Sequence, residues 1–261
     1  MCRAGRRVEA GCLRTDGFSW SGGEHHATGC HSDPDRPGHR GSRLSSFPDP
    51  RGSAVSRTVV FAGDKGGSGK TTTSHALCHG LGMHGVRSIH VTTDPRRLVL
   101  PADSRRYATV DGREVRQLAR VIDQLANRDD VVLVIDGGGG RPEVDAVLSK
   151  VADLTVIPFL HSAEDLRVAV ADLQRLSHAY GLPNRWPTQT WAKAAAEKEL
   201  TKAMGDLGSR LMSPLPEING LITLVSEEGA NARINGQCKA FALRILERMG
   251  LNLFSFRAPA A

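Results

Sequence analysis

The chain has 261 residues, 40% of them hydrophobic and 24% charged, which is ordinary globular composition and enough material for one or two packed domains. Lys plus Arg number 34 against 28 Asp plus Glu, so the net charge of +6 permits contact with nucleic acid or an anionic membrane surface without demonstrating either. There is no run of about 18 apolar residues, which excludes a membrane-spanning helix, and no apolar stretch follows the basic start Met1–Arg7, which argues against a cleaved secretory signal. The five cysteines are odd in number and form no CxxC pair, so a disulfide framework or zinc site is not expected and a reducing cytoplasm fits better.

Composition changes sharply near Arg57. Residues 1–57 hold only Val8, Leu13, Leu44 and Val55 as branched aliphatics, too little apolar surface to offset the entropy of ordering. They are expected to be disordered, or to be a mis-annotated extension of a chain whose translation starts near Val55. Cys12, His25, His26, Cys30 and His31 match no standard metal-ligand spacing. From residue 58 to 261 a single domain is expected. Thr58–Ala62 predicts a buried strand, followed by a Gly-rich turn and a helix to about His84 closed by Gly85. Ser88–Thr92 predicts a second strand. Asp111 and Glu114 have capping-box spacing before a helix with Val115, Leu118, Ile122 and Leu125 on one face. Val131–Ile135 is apolar throughout, as in a central parallel strand covered on both faces, and Leu154–Pro158 predicts another. Ser162 and Asp165 cap a helix carrying Leu166, Ala169, Val170 and Leu173 and stopped by Gly181. Thr190 opens a helix with Leu200, Met204, Leu207 and Leu211, and a last helix spans about Gln237–Met249 before Gly250. The alternation predicts an α/β fold with a doubly wound, mostly parallel sheet and helices on both faces.

The informative segment is Asp64-Lys65-Gly66-Gly67-Ser68-Gly69-Lys70-Thr71-Thr72. It lies between a strand and a helix, the context in which a Gly-rich loop becomes a phosphate site. Glycines let successive backbone N–H groups point inward, and the helix adds its positive dipole end. In such a loop Lys70 supplies a mobile charge for β- and γ-phosphates, and the Thr71 hydroxyl is placed to ligate Mg²⁺.

The pattern KGGxGKTT resembles the deviant Walker A motif of the ParA/MinD family of ATPases, most closely in style the short partition ATPases without an N-terminal helix-turn-helix. Asp64 stands where the generic motif has its first glycine. Thr92-Thr93-Asp94-Pro95 resembles the family's D-x-D-P segment, Val131–Ile135 with Asp136 its Walker B strand, and Ala152–Pro158 its A-D-x-V-x-I-P strand. The motifs cover residues 58–180; residues 181–261 follow only in outline. The resemblance implies a P-loop NTPase of the SIMIBI type that binds ATP and Mg²⁺. Lys65, Lys70 and Asp94 would be catalytic, Lys65 by reaching the phosphates across a nucleotide-bridged homodimer and Asp94 by orienting the attacking water. Lys65, Gly66, Gly67, Ser68, Gly69, Lys70, Thr71 and Thr72 would hold the nucleotide, with Asn184-Arg185 and Pro214-Leu215-Pro216 as candidates near the adenine and Thr71, Asp94 and Asp136 on the Mg²⁺ side. Thr92 replaces the family's first acid, Arg96 its usual Gln, and Gly137–Gly140 its Pro-Pro turn, so a mobile second switch is expected.

Three outputs follow from the resemblance. One is cargo positioning or plasmid and chromosome partitioning with a ParB-like adaptor and nonspecific DNA, through Lys193, Lys198, Lys202, Arg210, Arg233, Lys239, Arg244 and Arg248. That would make it a cytoplasmic, nucleoid-associated protein. A second is membrane attachment of the MinD kind through Phe241, Ile245, Met249, Leu251, Leu253, Phe254 and Phe256 with Arg244, Arg248 and Arg257. The third is a nucleotide-sensing conjugal-transfer accessory protein with little hydrolysis. His75, His79 and His84 are expected to be packing or surface residues, and Cys78 and Cys238 small core residues.

Overall fold

The computed structural model of the chain describes residues 57–126, 128–226 and 232–256. The extension predicted for residues 1–57 lies outside them, apart from Arg57. The sheet has six strands: β1 (Arg57–Phe61), β2 (Arg87–Thr92), β3 (Ala108–Asp111), β4 (Val131–Asp136), β5 (Leu154–Phe159) and β6 (Ala179–Pro183). All are parallel, in the order β3-β2-β4-β1-β5-β6. The helices are α1 (Lys70–Met83), α2 (Val115–Leu125), α3 (Pro142–Val151), α4 (Ala163–Arg175), α5 (Thr190–Met204) and α6 (Asn235–Arg248). The α/β expectation holds.

The continuous apolar runs are explained by coverage on both faces. Val59, Phe61, Val132, Val134, Leu154 and Val156 face one way, into a core shared with α1 and α6. Their neighbours Val60, Leu133, Ile135, Ile157 and Phe159 face the other way, into a core shared with α2, α3, α4 and α5. Alternate residues of one strand thus feed opposite cores. Cys78 and Cys238 are fully buried in the first core. The helix histidines pack as expected: His75 is buried with its Nδ1 2.7 Å from the Tyr107 hydroxyl, His79 Nε2 meets Asn235 Oδ1 at 2.8 Å, and His84 Nε2 meets the Lys239 carbonyl at 3.1 Å. Burial, with Arg105 nearby, lowers the His75 pKa to about 3, so this ring is neutral.

Several boundaries differ from the sequence expectation. Asp111 ends β3, which the sequence does not announce, and its carboxylate accepts from Arg113 instead of capping α2. Glu114 is the residue before α2 and makes no side-chain cap, while Val115 is exposed. Ser162 does cap α4, accepting from the Asp165 N–H at 3.1 Å. That helix ends at Arg175, however, and Gly181 lies inside β6, where a Cβ would come within 2.9 Å of Leu211 and 3.0 Å of Phe159. Close packing, not helix termination, requires glycine there. The helix from Thr190 ends at Met204, because Gly205 turns the chain with φ +47°; Leu207 and Leu211 lie beyond it. Helix α3, directly after the glycine run, was also not anticipated.

The closest helix contact tests the packing between α1 and α6. A Cβ at Gly80 would sit 2.0 Å from the Cys238 carbonyl oxygen. Alanine is favoured over glycine in a helix by about 1 kcal/mol, but overpacking against rigid backbone costs about 1–3 kcal/mol. Gly80→Ala is therefore expected to lower the thermal unfolding midpoint in calorimetry, and a raised midpoint would contradict this packing.

Candidate functional site

Parallel strands bring their carboxyl ends to one edge, and the register fixes which loops meet there. Phe61 of β1 and Thr92 of β2 are both in register with Asp136 of β4. The Gly-rich loop, the Thr93-Asp94 turn and the Gly137–Gly140 run therefore start side by side. They open into a cleft of about 830 Å³, at the edge where open α/β sheets bind ligands.

The loop's shape depends on two glycines. Gly67 (φ +81°) and Gly69 (φ +99°) adopt the left-handed region. A Cβ on Gly69 would also lie 2.2 Å from Asn184 Nδ2. That amide, itself buried, donates to the Ser68 carbonyl at 2.9 Å and ties the end of β6 to the loop. The loop's first residues are held from below by two helix carboxylates. Asp145 Oδ2 accepts from the Gly63 N–H and Asp172 Oδ2 from the Asp64 N–H, both at 2.9 Å. Arg175 donates to Asp172 at 2.6 Å and to the Pro142 carbonyl at 2.9 Å, which ties α4 to the start of α3.

Lys70 opens α1 and is buried, its Nζ donating to the Lys65 carbonyl at 2.8 Å. Burial lowers its pKa, against the opposing pull of Asp145, Asp136, Asp172 and Asp64. Lys65 points away, 3.7 Å from Glu164. Asp136 is fully buried, and its carboxylate lies beside the Thr71 hydroxyl without a well-formed hydrogen bond to either oxygen. Burial raises its pKa to about 7; the Thr71 hydroxyl, Lys70 and Arg97 pull the other way, and Asp94 adds to the rise. Asp145 is raised to about 6, chiefly by burial, with the Gly63 N–H, Lys70 and Arg175 opposing and Asp172 adding.

The two loops beyond the sheet edge are joined through Thr93. Its hydroxyl donates to the Asp136 carbonyl at 2.8 Å and accepts from the Gly138 N–H at 3.3 Å, and Arg141 donates to its carbonyl at 2.9 Å. Asp94 Oδ1 accepts from the Arg96 N–H at 2.9 Å. The glycine run packs closely: a Cβ on Gly138 would stand 3.3 Å from the Asp94 Cα, and one on Gly139 3.2 Å from the Asp64 carbonyl and 3.4 Å from Lys70 Nζ.

Most of the sequence-predicted residues thus meet here. Gly66, Gly67, Gly69, Lys70, Thr71, Thr72, Asp94 and Asn184 line the cleft, with Asp136 buried beside Thr71. Of the other candidates near the base, Arg185 and Pro216 line the cleft, Pro216 held by a bridge to Trp186, whereas Pro214 is exposed and not part of the lining. Sequence reasoning missed Thr93, Asp145 and Asp172. For Asp172 a signal existed: it shares a helix face with Leu166, Ala169 and Leu173, an unusual place for an acid.

The pattern described as the CobQ/CobB/MinD/ParA nucleotide binding domain matches residues 59–230. The chain belongs to this family. Solved structures with the same fold include a Cyanothece McdA–ATP complex (15% identity, TM-score 0.55, covering 77% of this chain and 98% of that one). Another is the MinD cell division protein of Aquifex aeolicus (14%, 0.57, 74% and 97%). A third is pNOB8 ParA bound to nonspecific DNA (12%, 0.54, 75% and 99%). No curated protein sequence matches the chain.

The residues fit the family's ligand. Two buried, unpartnered carboxylate oxygens beside a threonine hydroxyl suit a hydrated divalent cation, and Lys70 at a helix start beside a glycine loop suits phosphate oxygens.

Asp136 also predicts a pH dependence. Its pKa is raised from 3.8 to about 7, so the folded chain holds this proton where the unfolded chain has lost it. Stability is then fully present below about pH 4 and declines as pH rises toward 7. Asp136→Asn should raise the ligand-free unfolding midpoint at pH 8 and have little effect near pH 4. Equal effects at both pH values in a thermal melt would contradict a strained, buried carboxylate.

Proposed function

We propose that the chain is a Mg²⁺-dependent ATPase switch whose nucleotide state governs assembly into a homodimer and contact with DNA, in the partitioning or positioning of a cargo. The observation that carries this reading is the convergence of Lys70, Thr71, Asp136 and Asp94 on one cleft edge, around a loop held open by glycine geometry. Thr71 and Asp136 would hold Mg²⁺, which would supply neutralisation of phosphate charge. Lys70 would neutralise the β- and γ-phosphates, and Asp94 would orient the attacking water. Asn184 and Pro216 would flank the base. Lys65 would leave Glu164 to reach the phosphates of a second copy; the exposed pair it gives up is worth at most about 1 kcal/mol.

Charge and burial favour DNA over a membrane as the surface contacted. On α6, Phe241 and Ile245 are buried, and Met249, Leu251, Leu253 and Phe256 pack against the core, so of the apolar residues considered for attachment only Phe254 is strongly exposed. The basic residues of the same region are partly committed as well. Arg210 donates to the carbonyls of Ala179, Leu173 and Leu176, Arg244 to those of Ser213 and Pro214, and the Arg248 guanidinium stacks 3.9 Å over Tyr180. Lys198 and Lys202 on α5 are exposed and carry the DNA contact in this reading, which the ParA–DNA complex of the same fold supports. A ParB-like adaptor would stimulate hydrolysis. A nucleotide sensor with little turnover is the alternative that Thr92 favours, since it stands where the D-x-D-P segment has its first acid.

Lys70→Ala should abolish binding of a fluorescent ATP analogue while leaving the circular dichroism spectrum intact. Asp94→Ala should keep the nucleotide and stall hydrolysis. The stalled variant with ATP should sediment with duplex DNA rather than liposomes, with log K falling against log salt by roughly 0.9 per phosphate contact. Wild-type hydrolysis by the Asp94 variant would remove Asp94 from its role, and ATP-dependent liposome flotation would favour a membrane surface.

A further inference from the structure

The segment after β2 carries charge in an unexpected balance. Thr92 is a buried neutral side chain, and the turn Asp94-Pro95-Arg96-Arg97 has one acid and two arginines. Both arginines line the cleft together with Lys70 and Thr71. The turn is closed by a bond from the Arg97 N–H to the Asp94 carbonyl at 3.1 Å. Its Nε lies 4.0 Å from Asp94 Oδ2, a contact loose enough to release, and its charge is felt at the buried Asp136 carboxylate. Lys65, meanwhile, is held by Glu164 on α4. Among the cleft-lining cations, Arg97 therefore neighbours both the acid and the cation side of the site from within the same chain. Its side chain is 55% exposed, so it can swing toward a ligand without breaking a buried contact.

We propose that Arg97 is a catalytic residue of the hydrolysis, an arginine supplied in cis to the γ-phosphate. The inference rests on the ATPase reading given above. Water oxygen bonds to the γ-phosphorus as the bond from that phosphorus to the β–γ bridging oxygen breaks, and the electron pair stays on the departing ADP. One water proton leaves for solvent by way of Asp94, and the other remains on inorganic phosphate. Negative charge spreads over the equatorial and bridging oxygens during transfer, and the planar guanidinium donates to two of them at once.

The test compares Arg97→Ala and Arg97→Lys with wild type and with Arg116→Ala, an exposed arginine on α2 away from the cleft. Arg97→Ala should lower kcat about a hundredfold or more, keep ATP affinity within about threefold, and fail to trap ADP with aluminium fluoride. Arg97→Lys should fall between the two, because a point charge replaces a bidentate donor, and Arg116→Ala should match wild type. Turnover by Arg97→Ala within about threefold of wild type overturns the proposal. So does a loss confined to nucleotide affinity, or unimpaired aluminium fluoride trapping. Wild-type protein that binds no ATP overturns the ATPase reading as well, whereas wild-type hydrolysis with an indifferent Arg97 removes this inference alone.

Discussion

Two consecutive backbone amides, Gly63 and Asp64, each donate to a carboxylate from a different helix, and the geometry of the cleft depends on that pair of bonds. Asp145 comes from α3 and Asp172 from α4, and Arg175 ties the two helices to each other. The glycine loop is thus anchored at its entrance by the α3–α4 layer and near its end by Asn184 from β6. Between these anchors the Lys70 ammonium donates to the Lys65 carbonyl, so the loop is also tied in its middle. The same carboxylates, with Asp136, surround the buried Lys70 ammonium. Buried charges are costly unless paired: Arg175 pairs with Asp172, and burial raises the pKa of Asp136 and Asp145, so the charge balance beside Lys70 is closed in part by protons held on those two acids. The unpartnered oxygens of Asp136 mark where that balance is incomplete. Such an arrangement is satisfied by a divalent cation on one side and phosphate oxygens on the other.

The glycine run after Asp136 has a matching physical reason. Gly138 lies against Asp94, and Gly139 against the Asp64 carbonyl and Lys70, so tightly that a Cβ at either would press on its neighbours. Thr93 links this run to the neighbouring turn through both its hydroxyl and its carbonyl. Movement of one loop therefore cannot leave the other unaffected. Because Pro142 and Asp145 belong to the helix that follows the run, a shift there also reaches the Gly63 amide. That is the connectivity a nucleotide-controlled switch needs, two loops and an anchor that share hydrogen bonds.

Central strands were legible in the sequence because burial on both faces demands unbroken apolar runs, as in Val131–Ile135. The outer strands were not. β3 is short and half-buried at the sheet edge, and β6 reads Ala-Tyr-Gly-Leu-Pro, whose glycine and proline signal a turn locally, though the glycine owes its place to Leu211 and Phe159. The phosphate loop was legible because its backbone curvature demands glycine at fixed positions. Asp145 was not, since its role depends on a contact 82 residues away in sequence. The choice between Pro214 and Pro216 followed the same logic: a bridge to Trp186 decides it. Charge in the carboxyl-terminal region was visible, but whether an arginine faces solvent or a backbone carbonyl, as Arg210 and Arg244 do, is a property of the packed chain.

The most direct measurement is calorimetric titration of the full chain with ATP, with Mg²⁺ present and with Mg²⁺ removed by chelation. An incomplete charge balance around Asp136 and Lys70 predicts one nucleotide per chain, bound at least about tenfold, or about 1.4 kcal/mol, more weakly without the metal. Binding that is indifferent to Mg²⁺, or no heat of binding at all, would contradict it.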